Sequence, residues 1–441
     1  MFAETHNLTY DPQDSNPASW LKTNWPARYY YEQLFPKICA AHAPGIPYLP
    51  SSPFSPPTYD LPHRLANDSQ TGDTHAWRVW MADQPRLPYQ QYSSISGRFV
   101  SEFGMKSYPC LRTLQAHITD PLQRHPQSRV LDAWHMAPED QRTLALYLNE
   151  NFRHGVNLAS YVYATQLLQA EAMDFAVRAF RRNWRGAGHE ECSGNLIWQL
   201  NDCYPAVSWS LVDADGRKKL AWYAVKRAYQ PITINAERFV EKRRKEGASP
   251  YSDVDVISTT GLVIWASNLT LPVVEAILCV KAYTVEGQQV WEDEIDLKLL
   301  PNRSADIKTY IPLPVGAMSL THEEQEAVRK SMIISLTLTS NSGQIIASFV
   351  DWPQPLRHLE LKPGGVTLKW ERLDERDWVV KLSASWPIKG LELYASDHDL
   401  VLSDNCIDLI PNKDFEIRVE NTGGKLPEGI VLCKHLGDAC Y

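Results

Sequence analysis

The hydrophobic positions change period near Pro231. Before it, short apolar runs ending in polar or aromatic residues are followed by stretches with apolar side chains at helical spacing; after it, apolar and polar residues alternate in short runs between turns. Ser19 to His42 reads as helix apart from a turn at Pro26, and Ile46 to Ser51 as a strand end. Further strand ends are predicted at Gly72 to Trp77 (GDTHAW), Gly97 to Gly104 (GRFVSEFG) and Asn195 to Asp202 (NLIWQLND), the last as a buried strand. Glu139 to Arg153, Leu158 to Arg185 and Leu220 to Arg227 carry the helical pattern, clearest where Tyr161, Leu168, Ala172, Phe175 and Phe180 recur along one face.

Four strand-then-helix units amount to half a barrel. Closing a (β/α)8 barrel takes eight parallel strands and about 250 residues, so four units leave two open sheet edges. The expected fold class is α/β plus all-β: the second half of a (β/α)8 TIM barrel over residues 1–232, followed by two immunoglobulin-like β-sandwich domains, 233–352 and 353–441. VDVISTTGLVIWASNLT, VVEAILCVKAYTV and SMIISLTLTS supply strands of the first sandwich; VTLKWERL, WVVKLSAS and GLELYAS, beyond the proline-marked WPQPLRHLELKPGG, supply the second. ERFVEKRRKE, Glu237 to Glu246, interleaves acids with bases and reads as a solvated helix or linker rather than a basic patch.

Composition narrows the partners. The 441 residues carry a net charge of −8, which leaves no global basic field to hold a polyanion, so no nucleic-acid partner is expected. No apolar run approaches the roughly 18 residues of a membrane span, so no membrane partner is expected either. Eight cysteines are scattered without paired spacing, which argues against zinc and against a disulfide framework. With no signal peptide visible at MFAETHNLTYDP, an intracellular site is favoured, although the natural start could lie upstream of Met1. Sequons at Asn7, Asn67, Asn268 and Asn302 would matter only in a secreted chain. Oligomeric state is not encoded in any pattern here.

The candidate chemistry gathers at the strand ends. Glu102 stands where GRFVSEFG stops; His75 and Trp77 close GDTHAW, Trp198, Asn201 and Asp202 close NLIWQLND, and Ser51 and Ser52 end the first strand. In an α/β barrel these ends share one mouth. One carboxylate among indoles and amides, with no metal cluster and no Gly-rich phosphate loop, points to glycoside hydrolysis without a cofactor. The 15 Trp and 20 Tyr fit that reading, because indole and phenol faces stack on the C–H faces of sugars. Structural readings stay open beside it: Glu102 as a cap or a partner of Arg98, His75 as a structural hydrogen-bonding group, Asn201 and Asp202 as braces of the turn at Pro205.

GRFVSEFGMKSYP, GDTHAWRVW, SWLKTNWPARYYYEQLFPKIC and GNLIWQLNDCYPAVSWSLVDADGRKKLAWYAVKRAYQPI, each moderately specific and together in the right order along the chain, resemble the β-mannosidases of glycoside hydrolase family 2, in particular the fungal β-mannosidase B type. The likeness is dense from residue 1 to about 232 and looser in the tail. It implies a retaining exo-β-mannosidase that removes terminal β-D-mannose from the non-reducing end of β-1,4-linked mannooligosaccharides or mannosides, with Glu102 as nucleophile. His75, Trp77 and Trp198 would line the sugar pocket, and Asn201 and Asp202 would complete its floor. The family's general acid/base lies in an Asn-Asn-Glu-Asp-Tyr segment just before the stretch matching MFAETHNLTYDP, and that segment is absent from the sequence. Glu4 matches a different acidic position, and Glu32, Glu139 and Glu171 fall on helical stretches. The expectation is therefore a C-terminal portion of such an enzyme, inactive alone. A non-catalytic carbohydrate-binding module and a truncated gene-model product are the alternatives, and the sister activities β-galactosidase and β-glucuronidase remain open.

Overall fold

A computed structural model describes residues 29–56, 67–80, 86–137, 140–244, 256–310, 312–374, 377–420 and 431–439. Glu4, Asn7, Glu139, Cys440 and the stretch from Ser19 to Arg28 lie outside the described residues. The chain divides into two units: Met1–Gly104 with Ala179–Trp198, and Met105–Arg178 with Gln199–Tyr441.

In the first unit, helix α1 spans Phe35–His42 and follows a turn of π-helix at Tyr30–Leu34. Strand β1 is Thr74–His75 and β2 is Val100–Glu102, paired in parallel. A third segment joins the other side of β2 through a parallel bridge between Val100 and Asn195, with Val100 N–H donating to Gly194 O (2.9 Å) and Trp198 N–H donating to Phe103 O (2.9 Å). Side-by-side parallel segments cannot be linked by tight turns; each needs a crossover, which accounts for the long connections between them. Beneath them Tyr92, Phe103 and Phe180 pack edge to face, with ring centroids 5.1 to 6.0 Å apart. Gly97 is dictated by proximity, because a Cβ there would stand 2.4 Å from Thr74 Oγ1.

NLIWQLND differs from the buried strand its apolar content predicts. Leu196 is 55% and Trp198 44% exposed, so in this unit one side of the third segment is left uncovered. Ile46 to Ser51 forms no strand. Its two prolines, at 47 and 50, lack the N–H that a ladder needs.

The second unit begins with helices α2 (Leu111–His117), α3 (Arg129–Trp134), α4 (Asp140–Asn151), α5 (Leu158–Arg182, whose last residues fall in the first unit) and α6 (Leu220–Ala228). Strands β3 (Ile232–Arg244), β4 (Val256–Asn268), β5 (Val274–Tyr283), β6 (Gln289–Leu299) and β7 (Arg303–Tyr310) lead to helix α7 (His322–Ser331), then β8 (Ile333–Ser340) and β9 (Ile345–Asp351). They form antiparallel sheets of order β3-β4-β7 and β6-β5-β8-β9. Ala276, Leu278, Val280 and Ala282, every second residue of β5, meet Ile234 and Ile264 of the facing sheet in one core, the arrangement of a β-sandwich.

The charged segment from Glu237 is strand, not helix or linker, up to Arg244. It pairs with β4 residue for residue, from Ile232 opposite Asn268 to Arg244 opposite Val256. Ladder bonds with an apolar partner strand outweigh local charge pattern, and Arg238 is held by Asp351 (Nε to Oδ2, 2.7 Å) and by the Met332 carbonyl.

Strands β10 (Val366–Arg372), β11 (Trp378–Ala384), β12 (Ile388–Ala395), β13 (Val401–Leu402), β14 (Ile407–Leu409), β15 (Phe415–Glu420) and β16 (Val431–Lys434), with helix α8 (Leu436–Ala439), complete the unit. Their sheets, β10-β11-β15-β13 and β14-β12-β16, share a core of Val380, Leu382, Leu391, Leu393, Ile417 and Val419, against which Tyr223 of α6 packs. A buried knot ties these strands to α5: Lys389 Nζ lies 2.6 Å from Glu171 Oε1 and 2.9 Å from Asp408 Oδ2. Trp352 Nε1–H donates to the same Asp408 oxygen (2.8 Å), and Tyr163 Oη–H donates to Gly390 O (2.8 Å). Among the described residues no helix is long and apolar enough to cross a membrane.

Candidate active site

Glu102 ends β2 beside His75 of β1, its register partner. The same carboxylate oxygen, Oε2, receives the Trp77 indole N–H at 3.2 Å and faces His75 Nδ1 at 3.2 Å. No donor among the described residues engages Oε1. With a quarter of its side chain exposed, Glu102 is half tethered and half available. Burial pushes its carboxyl above the ordinary range; the Trp77 hydrogen bond opposes this and the negative charge of Asp73 adds to it.

His75 is clamped from both ends. Asn67 Oδ1 accepts from its backbone N–H (2.6 Å) and Asn67 Nδ2 donates to its carbonyl (3.1 Å). On the ring, Nε2 meets Ser52 Oγ at 2.9 Å. Burial lowers the imidazole pKa, with Asp73 acting in the opposite sense. Asp73 is itself buried: Oδ2 accepts from the hydroxyls of Ser52 (2.5 Å) and Ser101, and Oδ1 from Phe54 N–H (2.7 Å). Gly72 makes this approach possible, since at φ +68° a Cβ would stand 1.7 Å from Phe54 O. Ser52, Asp73 and Ser101 also border a cleft of about 470 Å³ walled mainly by Tyr31, Phe35, Tyr48, Leu49 and Phe99.

The structure thus brings Glu102, His75 and Trp77 together, and fastens the backbone of Trp198 to the residue after Glu102. Asn201 and Asp202 belong to the second unit. There Asp202 is buried and saturated, its Oδ2 accepting from Ser208 Oγ (2.6 Å) and Ser210 Oγ (2.6 Å) and its Oδ1 from Gln199 Nε2 (3.2 Å). Asn201 is exposed and donates to the Asp202 carbonyl (3.3 Å). Among the described residues no group of three or more His, Cys, Asp or Glu is placed to hold a metal ion.

Asp73, Ser101 and Asn67 escaped the sequence reading. Asp73 follows a glycine inside GDTHAW and could have been noticed there; Asn67 drew attention only as a sequon. Its left-handed backbone, φ 74°, is one that asparagine tolerates better than most residues, and that was the available signal.

A family profile described as Mannosidase Ig/CBM-like domain matches residues 260–358. β-Mannosidase B of Thermothelomyces thermophilus is 35% identical over 430 residues, covering 96% of this chain and 48% of that protein. β-Mannosidase B of Aspergillus clavatus is 33% identical over 438 residues, covering 98% and 48%. The chain spans about half the length of the curated relatives it matches. Among solved structures, a β-D-mannosidase from Dictyoglomus thermophilum superposes with a TM-score of 0.75 at 23% identity, over 97% of this chain and 46% of that one. An exo-chitosanase from Amycolatopsis orientalis gives 0.61 at 15% identity, over 92% and 49%. At such identities these structures speak for the fold alone. Along nearly its whole length, then, the chain is a homologue of about half the length of the fungal β-mannosidase B proteins.

Proposed function

We propose that this chain carries the nucleophile of a retaining exo-β-mannosidase, acting on terminal β-D-mannose of mannooligosaccharides or mannosides. The observation that carries the reading is the state of Glu102: one oxygen anchored by Trp77 and His75, the other unengaged by any of the described residues, at the end of a parallel strand. Oε1 would attack the anomeric carbon, the glycosidic bond would break toward its oxygen, and a mannosyl–Glu102 ester would form for water to hydrolyse. The indole of Trp77 holds the carboxylate in line, and the exposed face of Trp198 offers a stacking surface for a sugar ring.

Retaining hydrolysis needs a second carboxyl roughly 5 to 5.5 Å from the first to protonate the leaving oxygen. Asp73, the carboxylate whose charge acts on Glu102, has both oxygens committed to two serine hydroxyls and a backbone amide. In this reading the acid/base comes from polypeptide outside these 441 residues, and the parallel segments of the first unit belong to the second half of a (β/α)8 barrel. The uncovered Leu196 and Trp198, and the half-length match to the relatives, support it.

A fluoride leaving group needs no acid, so a 2-deoxy-2-fluoro-mannosyl fluoride isolates the nucleophilic step. Peptide mapping by mass spectrometry should find the sugar on Glu102 and no label in Glu102→Gln. An unlabelled parent chain, or label on another residue, overturns the assignment. Turnover of an aryl β-mannoside with a poor leaving group by the purified chain would overturn the missing acid.

A further inference from the structure

The hydrogen bonds around His75 contain a proton count. The hydroxyls of Ser52 and Ser101 both donate to Asp73 Oδ2 at 2.5 Å, closer than Ser52 lies to Ser101 Oγ (3.2 Å) or Ser101 to the Thr74 carbonyl (3.4 Å), so each gives its single proton to the carboxylate. Ser52 Oγ then has only lone pairs left for His75 Nε2, 2.9 Å away. The ring must therefore be the donor in that contact, and Nε2 carries a hydrogen. On the opposite edge Nδ1 faces Glu102 Oε2 at 3.2 Å. A neutral imidazole protonated on Nε2 would turn a lone pair toward a carboxylate, two acceptors face to face.

We propose that Asp73 and Ser52 are positioning residues that fix a proton on His75 Nε2 and so oblige His75 Nδ1 and Glu102 Oε2 to share one further proton. The inference rests on the reading of Glu102 as nucleophile. With the shared proton on Nδ1 the pair is imidazolium and carboxylate, and Oε1 can attack; with it on Oε2 the pair is neutral and the carboxyl is held in reserve. The transfer moves one proton between two atoms of the pair and leaves its net charge unchanged. Burial raises Glu102 and lowers His75, which favours the neutral arrangement in the free site. Trp77, on the same oxygen, favours the ionised one. Asp73 thus acts on the nucleophile through two intermediaries, much as a buried aspartate sets a histidine tautomer in serine hydrolases.

Long-range proton–nitrogen NMR on the chain labelled with 15N-histidine reads the tautomer directly, with the His75 signal identified by its loss in His75→Gln. The parent should show a protonated Nε2. In Asp73→Asn the new amide donates to Ser52, the Ser52 hydroxyl turns to His75 Nε2, and the ring proton is forced onto Nδ1, where it meets an ionised Glu102: the tautomer inverts. In Glu102→Gln the Nε2 proton should stay. Ser52→Ala, which removes the acceptor, should give a mixture of tautomers, and it decides the matter if Asp73→Asn fails to fold, as judged from the other histidine signals. A parent with bare Nε2 and protonated Nδ1 overturns the proposal, as does an unchanged pure Nε2–H form in a folded Asp73→Asn or in Ser52→Ala. No sugar enters the measurement, so its outcome is separable from the labelling of Glu102.

Discussion

Two carboxylates, one in each unit, show what separates a reactive group from a structural one. Asp202 has donors on both oxygens and is sealed from solvent. Among the described residues Glu102 has partners on one oxygen only, and it keeps a quarter of its side chain exposed. The histidines repeat the contrast in a different form: both ring nitrogens of His75 have protein partners, whereas neither ring nitrogen of the buried His135 has one among the described residues. The carboxylates and the histidines therefore run in opposite senses: Glu102 is left open where a ligand could engage it while the site histidine is held on both sides, and the unpartnered His135 is a cost that the surrounding packing carries.

Replacing both carboxylates should pull the two units apart in stability. Asp202→Leu removes the acceptor of two buried hydroxyls; Ser208 can still donate to Ser210 Oγ (3.0 Å), which leaves the Ser210 hydroxyl unpaired at about 1–3 kcal/mol. Glu102→Gln should stay within about 1 kcal/mol of the parent, because burial already disfavours its charge. Urea unfolding midpoints compare them, and a Glu102→Gln loss as large as that of Asp202→Leu would dissolve the distinction.

His135 sharpens the comparison through acid. Burial, and then the nearby Lys106, push its pKa down to about 4. The unfolded chain takes up the proton near pH 6.5 and the folded one only near 4, so the stability present above the unfolded value is lost as pH falls between them. The loss is at most about 3 kcal/mol. Urea midpoints measured from pH 7 to 4 should fall less steeply in His135→Phe than in the parent, and equal slopes would remove His135 from the account.

The smallest effect concerns the tether itself. A hydrogen bond to a charged group contributes about 1.5–3 kcal/mol, so Trp77→Phe should slow fluorosugar labelling of Glu102 by about 10- to 100-fold. An unchanged labelling time course would mean that the indole merely fills space.

Much of this was legible in the chain. The helices around Leu158 and Leu220 were readable because several turns of apolar spacing outweigh any single residue. Glu102 and His75 were legible as ends of short strands, while Trp77 lies in the turn just past the first of them. What stayed hidden depended on partners distant in sequence: the strand character of Glu237 to Arg244 comes from β4, and the role of Asp73 comes from Ser52 and Ser101. The exposed side of NLIWQLND was hidden for another reason, since hydrophobicity reports what a segment could bury and not whether anything covers it.

The knot at Lys389 bears on where this protein can be cut. Trimming the chain after Trp352, at the proline-rich joint that looks like a natural seam, would take the counter-ion from Glu171 and strip the cover from Leu167, against which Gly390 now lies. Helix α5 owes part of its order to a loan from the far end: the carbonyl that receives the Tyr163 hydroxyl comes 227 positions later. On a ribosome, Glu171 and Tyr163 therefore wait without these partners until the strand carrying Lys389 and Gly390 has emerged.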